Sequence, residues 1–355
     1  MPATETTSPP LRPSGAPPHA ARGEEGPPPV RARRDIVPLL LVPALMLAAL
    51  PLVGSPASWV TLSVAGLAMG LMIFVMASGL TLTFGLMDVL NFGHGAFIAV
   101  GAFVAASVML AMGPWMGSDS LWLNLAAVAP AILAAMVLSG LLGWGFERVI
   151  VKPVYGQHLK QILVTMGGLI VAEQLLKVVW GPDQITLTRP PALRGAFIIG
   201  DVAIEKYRVL AVAVGLVVFV VMQLALGRTR IGLLVRAGVE NSEMVEALGY
   251  RIGRVFVGVF VVGSALAGLG GALWALYQET VTAAIGAQVM VLIFIVIIIG
   301  GLGSVGGCFV GALLVGLVAN YIGFLAPKVA LGSNILLMAL VLLWRPQGLY
   351  PVARR

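Results

Sequence analysis

Apolar segments of membrane-spanning length recur along almost the whole chain, and this feature limits the fold more than any other. A run of about 17–25 apolar residues is long enough for a helix to cross roughly 30 Å of hydrocarbon. Strands of a membrane barrel would alternate apolar and polar side chains, and these segments do not. With 59% hydrophobic residues and a mean hydropathy of +1.01, the chain is predicted to be an all-α integral membrane protein.

The apolar segments predict a polytopic bundle of about ten spans, within a range of 8–10. Five spans precede residue 181 and five follow it, so an internal 5+5 repeat would be inverted in the membrane. The predicted spans are 36–53, 60–84, 96–112, 121–146, 162–180, 209–226, 255–277, 288–303, 307–324 and 334–344.

The charged residues predict how the chain is oriented. Residues 1–34 hold nine of the 22 prolines and few large apolar side chains, so they are predicted to be a disordered tail ahead of a transmembrane domain over 35–350. A signal peptide is the alternative for 36–53, although 34 residues is a long leader for one. If the N-terminus is cytoplasmic, the cytoplasmic segments carry most of the lysines and arginines, as the positive-inside rule requires. The tails 1–34 and 351–355 are therefore both predicted to be cytoplasmic.

The segment 227–254 carries five arginines and three glutamates in a chain that is only 10% charged. The orientation places this segment in the cytoplasm. Ser242 is a suitable N-cap, Glu243 and Glu246 favour the positive end of a helix dipole, and Gly249 is typical of a helix end. These signals predict a short helix over residues 243–248.

The predicted short helix carries an apolar face with no membrane around it. Met244, Val245 and Leu248 share this face, and Arg236 lies among the arginines that border it. A short amphipathic helix of this kind fits a groove on a soluble partner. The alternative is that it packs against the helix ends of this protein.

Three further groups of residues are candidates for a translocation path or gate. Asp88, Asn91 and His94 place polar groups at a membrane boundary, and a locally satisfied polar turn is the alternative.

Glu173 lies four residues before Lys177, which suits either a structural ion pair or a polar group along the path. Gly303 and Gly307 belong to a ladder of small residues, for which close helix packing is the alternative to a gate.

Motifs for nucleotide hydrolysis and common hydrolases are missing from the sequence. No G-x-x-x-x-G-K-[ST], H-E-x-x-H or G-x-S-x-G pattern occurs. The single cysteine, Cys308, excludes an intramolecular disulfide, and His94 and His158 lack metal-ligand spacing. The chain is therefore expected to be no enzyme and to hold neither a cofactor nor a metal itself.

Several longer motifs occur in a fixed order along the chain. They are GLTLTFGLMDVLNFGHGAFIAVGAFVA at 79–105, RVIVKPVYG at 148–156, VTMGGLIVAEQLLKVVWG at 164–181, TRIGLLVRAGVENSEMVEALGYRIGRV at 229–255, GGLGSVGGCFVGALLVGL at 300–317 and LLWRPQGLYP at 342–351. This order resembles the LivH-type permease subunit of the branched-chain amino-acid ABC importers over roughly residues 36–350. Gly93, where alanine is commoner, and the proline-rich tail depart from the family pattern.

The resemblance implies an ABC-importer permease fold in the bacterial inner membrane. It implies a LivM-like second permease as partner, with a homodimer as the alternative. It also implies two cytoplasmic ATPase subunits that hold ATP and Mg, and a periplasmic or lipid-anchored binding protein. The loop around residues 229–254 would then be the segment that couples the permease to an ATPase.

Two other classes of transporter remain as alternatives to the importer. In an ion-coupled secondary transporter, Asp88, His94 and Glu173 would be the coupling groups. In a passive channel, the glycine ladder over 300–316 would line the pore. The solute implied by the resemblance is a branched-chain amino acid or a related small polar solute.

Overall fold

The computed structural model describes residues 36–240 and 242–350, so the predicted tails 1–34 and 351–355 lie outside the described residues. The described part is almost entirely helical, with four short strands. The helices are α1 Val37–Val53, α2 Pro56–Met87, α3 His94–Ala111, α4 Gly113–Met116, α5 Leu121–Phe146, α6 His158–Trp180, α7 Lys206–Arg228, α8 Arg230–Glu240, α9 Ser242–Ala247, α10 Ile252–Gln278, α11 Ile285–Gly300, α12 Val305–Leu325 and α13 Ala330–Trp344. The strands are β1 Ile185–Thr186, β2 Ala196–Ile199, β3 Val202–Glu205 and β4 Thr280–Val281.

Each of the ten predicted span positions holds an apolar helix. Seven helices in the described part are long and apolar enough to cross a membrane, and the chain is a multi-pass membrane protein. The apolar helices Val37–Val53, Ile285–Gly300 and Gly332–Trp344 at the other three positions are shorter. The number of spans and the 5+5 repeat therefore stay predictions.

Local signals set the ends of α2, and α5 continues beyond its predicted end. Helix α2 begins four residues earlier than predicted, because the Ser55 hydroxyl accepts a hydrogen bond from the Ser58 N–H and Pro56 occupies the first turn. It continues to Met87 and stops at Asp88, which has a φ of 53°. Helix α5 runs on through a π-helical turn, Glu147–Val151, and a 3₁₀ turn, Lys152–Val154.

The centre of the bundle is formed by α2, α3, α10 and α12, and small residues let these helices approach closely. A Cβ atom on Gly79 of α2 would lie 2.2 Å from the Gly263 carbonyl oxygen of α10. On α3, a Cβ atom at Gly101 would lie 2.4 Å from the Cα of Gly268. Helices α6 and α7 lie at the periphery and bury few of their side chains.

Arg189 ties the long loop after α6 to the end of α10. Its Nε and Nη2 donate to the last carbonyls of α10, at Leu276 (2.7 Å) and Tyr277 (2.6 Å). The guanidinium also forms ion pairs with Glu205 (3.4 Å) and Glu279 (3.0 Å). Strand β1 pairs with β4 beside these contacts, while β2 and β3 form a separate antiparallel hairpin.

Candidate functional site

The predicted cytoplasmic segment 227–254 contains two helices, α8 and α9, rather than one. Helix α8 was not predicted, although Thr229 marks its start by accepting a hydrogen bond from the Gly232 N–H at 3.2 Å. Its inner side is buried, since Val235 is 1% exposed. A Cβ on Gly238 would meet the Ile252 side chain at 2.3 Å. Close packing on the start of α10 therefore holds α8 in place.

Helix α9 confirms the predicted short helix to within one residue at each end. Gly249 has a φ of +89°, a left-handed conformation that glycine adopts without strain. The Gly249 N–H donates to the Glu246 carbonyl at 2.9 Å, and the Tyr250 N–H donates to the Val245 carbonyl at 3.3 Å. These two bonds form a Schellman motif, which confirms Gly249 as the C-terminal stop.

The apolar face of this helix differs from the prediction. Met244 is 60% exposed and Leu248 is 71% exposed, whereas Val245 is 3% exposed and faces the protein. Grouping Val245 with the other two was therefore wrong, because α9 packs against α8 and α10 along that side. The backbones of Arg236 and Glu243 lie in α8 and α9, but their side chains lie outside the described part, so their coupling role stays a prediction.

A cleft of about 670 Å³ lies between the end of α5 and the start of α10. Four basic residues line it, Arg148 and Lys152 from the first segment and Arg251 and Arg254 from the second. Glu246 and Gly249 of the coupling segment also line the cleft. Two segments about one hundred residues apart in sequence thus meet in one charged site.

Glu147 and Tyr155 close the inner side of this cleft. Glu147 is 2% exposed, and the Tyr155 hydroxyl donates to its Oε1 at 3.0 Å. Burial, and secondarily the Glu147 carboxylate, raise the pKa of Tyr155 far above its ordinary value. The phenol therefore stays protonated and remains a donor to Glu147 at every physiological pH.

The turn between α2 and α3 brings together the first group of path candidates. His94 is 1% exposed, with its Nε2 2.9 Å from the Met76 carbonyl oxygen. Asp88 is half-exposed, and its Oδ2 lies 3.9 Å from His158 Nε2. The Asn91 side chain is 1% exposed, and neither atom of its amide has a hydrogen-bond partner among the described residues.

The remaining path candidates take part in local contacts. Lys177 donates to Glu173 at 2.8 Å, so the predicted ion pair forms, with the two side chains 36% and 24% exposed. A Cβ on Gly303 would lie 2.6 Å from the Gly85 Cα, and one on Gly307 would lie 1.9 Å from the Gly300 carbonyl oxygen. Both glycines therefore serve close backbone packing, and their role as a gate stays a prediction.

A family model described as the permease component of branched-chain amino acid transport systems matches residues 62–344. The chain belongs to this permease family. The match extends from α2 to the end of α13 and includes the coupling segment, the α2–α3 turn and the glycine contacts.

Several curated relatives of this permease span most of its length. The high-affinity branched-chain amino acid transport permease BraD of Pseudomonas aeruginosa is 30% identical over 80% of this chain and 93% of BraD. LivH of Salmonella typhimurium is 27% identical over 80% of this chain and 92% of LivH. LivM of Escherichia coli is 28% identical over 79% of this chain and 68% of LivM. No solved structure matches this permease.

Proposed function

We propose that this permease is one of two membrane subunits of an ATP-driven importer for branched-chain amino acids or related small polar solutes. Relatives that match over most of their length are named as permeases for branched-chain amino acids, which supports this solute class. The second subunit would be LivM-like, since a LivM protein also matches this chain. A periplasmic or lipid-anchored binding protein would deliver the solute to an inner-membrane assembly with both termini in the cytoplasm.

The exposed apolar pair on α9 is the observation that carries the proposal. Met244 lies in α9 and Leu248 directly follows it, with the Leu248 N–H donating to the Met244 carbonyl at 3.2 Å, so these two large apolar side chains share one helical face. Such a pair is a suitable anchor in a groove of a soluble ATPase subunit. ATP and Mg would be held by the two ATPase subunits, and this permease would contribute no bond-breaking groups.

The packing of α9 supports a route by which an ATPase would move the membrane helices. The Schellman motif leads directly into Tyr250, and the Ile252 N–H at the start of α10 donates to the Tyr250 carbonyl at 3.1 Å. Ile252 itself is 4% exposed, so this junction is packed rather than free. A displacement of α9 would therefore be transmitted to α10, which crosses α2, α3 and α5 at close contacts.

The polar α2–α3 turn is our candidate for part of the path. Its Asn91 amide is buried without a hydrogen-bond partner among the described residues, and an unsatisfied amide there costs about 1–3 kcal/mol. A change of conformation or an arriving polar solute would satisfy this group. Asp88 and His94 flank it in sequence, and Glu173 extends the polar candidates to α6.

Co-purification tests the ATPase contact directly. We expect the full chain to co-purify with two ATPase subunits and a second permease after mild detergent extraction. Met244→Ala with Leu248→Ala should lower ATPase recovery at least about tenfold, because removing two anchors costs at least about 1.4 kcal/mol.

The control for this test truncates an exposed apolar side chain that lies away from α9. Ile198 on β2 is 77% exposed and is predicted to lie on the opposite side of the membrane. Ile198→Ala should retain the ATPases fully. Equal loss in both variants would show that exposed apolar area in general, rather than α9, governs recovery.

A further inference from the structure

The cleft between α5 and α10 has an excess of positive charge that the other described residues do not neutralise. Arg148, Lys152, Arg251 and Arg254 line it, and none of them forms an ion pair with another described residue. Among the described residues, two carboxylates line the same cleft, those of Glu147 and Glu246. Glu147 is buried and accepts the Tyr155 hydrogen bond, which leaves Glu246 as the exposed one. The cleft therefore favours an anionic ligand.

The walls of the cleft are apolar on the side of the membrane helices. Trp144, in the last turn of α5, is 48% exposed, and Arg148 lies over its ring at 5.9 Å. Phe256 and Val257, in the first turns of α10, complete this wall. Exposed leucines precede Trp144 on α5, at Leu141 and Leu142. A tryptophan at the end of an apolar span is typical of the boundary between water and lipid headgroups.

The cleft and the coupling face lie on different sides of α9. Glu246 lines the cleft, whereas Met244 and Leu248 do not. At about 100° per residue, Glu246 lies roughly 160–200° around the helix axis from these two side chains. A partner seated on Met244 and Leu248 therefore does not need to fill the cleft.

We propose that the cleft binds the headgroup of an anionic phospholipid. The basic residues would hold the phosphate diester, and the acyl chains would leave along Trp144, Phe256 and the exposed side of α5. Basic pockets beside membrane helices recognise anionic headgroups in this way. A free phosphate would use the same cations but gain nothing from the apolar wall. The proposal does not depend on the ATPase contact of the proposed function.

Lipid titration of the purified, delipidated full chain in a nonionic detergent tests the proposal by native mass spectrometry. Phosphatidylglycerol should bind in a saturable way, and phosphatidylcholine should not. Arg148→Gln with Arg251→Gln should weaken phosphatidylglycerol binding by about fivefold for each cation removed, which corresponds to about 1 kcal/mol each. All four cationic side chains are exposed, so these changes remove no packing contact from the core.

The matched control removes the same charge outside the cleft. Arg228→Gln with Arg230→Gln changes two exposed arginines that do not line it and should leave phosphatidylglycerol binding within about twofold of wild type. Equal losses in the two double variants would overturn the site, because general surface charge would then explain binding. Displacement of the lipid by excess inorganic phosphate would overturn the lipid assignment.

A second readout does not require any variant. Phosphatidylglycerol should slow amide hydrogen exchange in segments 147–155 and 250–257 of the wild-type protein, which line the cleft. Unchanged exchange there at saturating lipid would also refute the proposal.

Discussion

The close crossing of α3 and α10 gives a quantitative prediction for Gly101→Ala. The new Cβ would lie 2.4 Å from the Gly268 Cα, where ordinary contacts begin at 3.4 Å, so the backbones must separate by about 1 Å. Neither side can yield by a rotamer change, because the contact is with backbone atoms. Overpacking of this kind costs about 1–3 kcal/mol, and the better helix propensity of alanine returns up to about 1 kcal/mol. With about 1 kcal/mol returned, we expect a net loss of up to about 2 kcal/mol.

Gly167→Ala on α6 is the matched control for this substitution. Nothing lies within 4 Å of the Cβ it would add, so only the gain in helix propensity remains. Thermal unfolding of both proteins in the same detergent can be measured by the recovery of folded protein on size-exclusion chromatography. The two variants should shift the unfolding midpoint in opposite directions relative to wild type. A Gly101→Ala protein as stable as the Gly167→Ala protein would refute the packing argument.

Three further substitutions test particular contacts. Gly249→Ala places an alanine at a φ of +89° and should destabilise α9 by about 1–2 kcal/mol. Faster amide hydrogen exchange over 242–250 would show this loss, and unchanged exchange would exclude a structural role for the Schellman motif. Arg189→Gln removes a hydrogen-bonded cation that is 15% exposed and should lower the free energy of unfolding by about 1–3 kcal/mol. Proteolysis of the 181–205 loop should become faster. Arg194→Gln is the control, and equal cleavage of the two variants would contradict the prediction. Tyr155→Phe leaves the buried Glu147 carboxylate without its phenol donor and should lower the thermal midpoint by the equivalent of about 1–3 kcal/mol. An unchanged midpoint would mean that the hydrogen bond from Tyr155 to Glu147 does not stabilise the fold.

The sequence predicted the positions of the membrane helices well, because the thickness of the hydrocarbon core sets the length of each apolar segment. The predicted segment 121–146 coincides with α5, and the ends of the other helices differ by up to four residues, in part because capping residues extend a helix. Ser55 and Pro56 extend α2 in this way. Local signals also predicted α9, since Gly249 takes the left-handed conformation that commonly ends a helix.

Tertiary contacts could not be predicted in the same way. Val245 fits the apolar face of α9 by its spacing, and only packing against α8 and α10 decides that it turns inward. The basic cleft combines Arg148 with Arg251, which come together only through the packing of α5 against α10. The unsatisfied amide of Asn91 likewise depends on its neighbours in space.

Uptake by reconstituted liposomes tests the central claim, that α9 couples this permease to ATP hydrolysis. The complete assembly should accumulate a branched-chain amino acid only when ATP is inside the liposome and the binding protein is outside it. The predicted orientation of the permease requires this arrangement. Met244→Ala with Leu248→Ala should reduce uptake at least about tenfold, while Ile198→Ala should not. Uptake by the permease alone, without ATP or an ATPase subunit, would contradict the account and favour a secondary transporter or a channel.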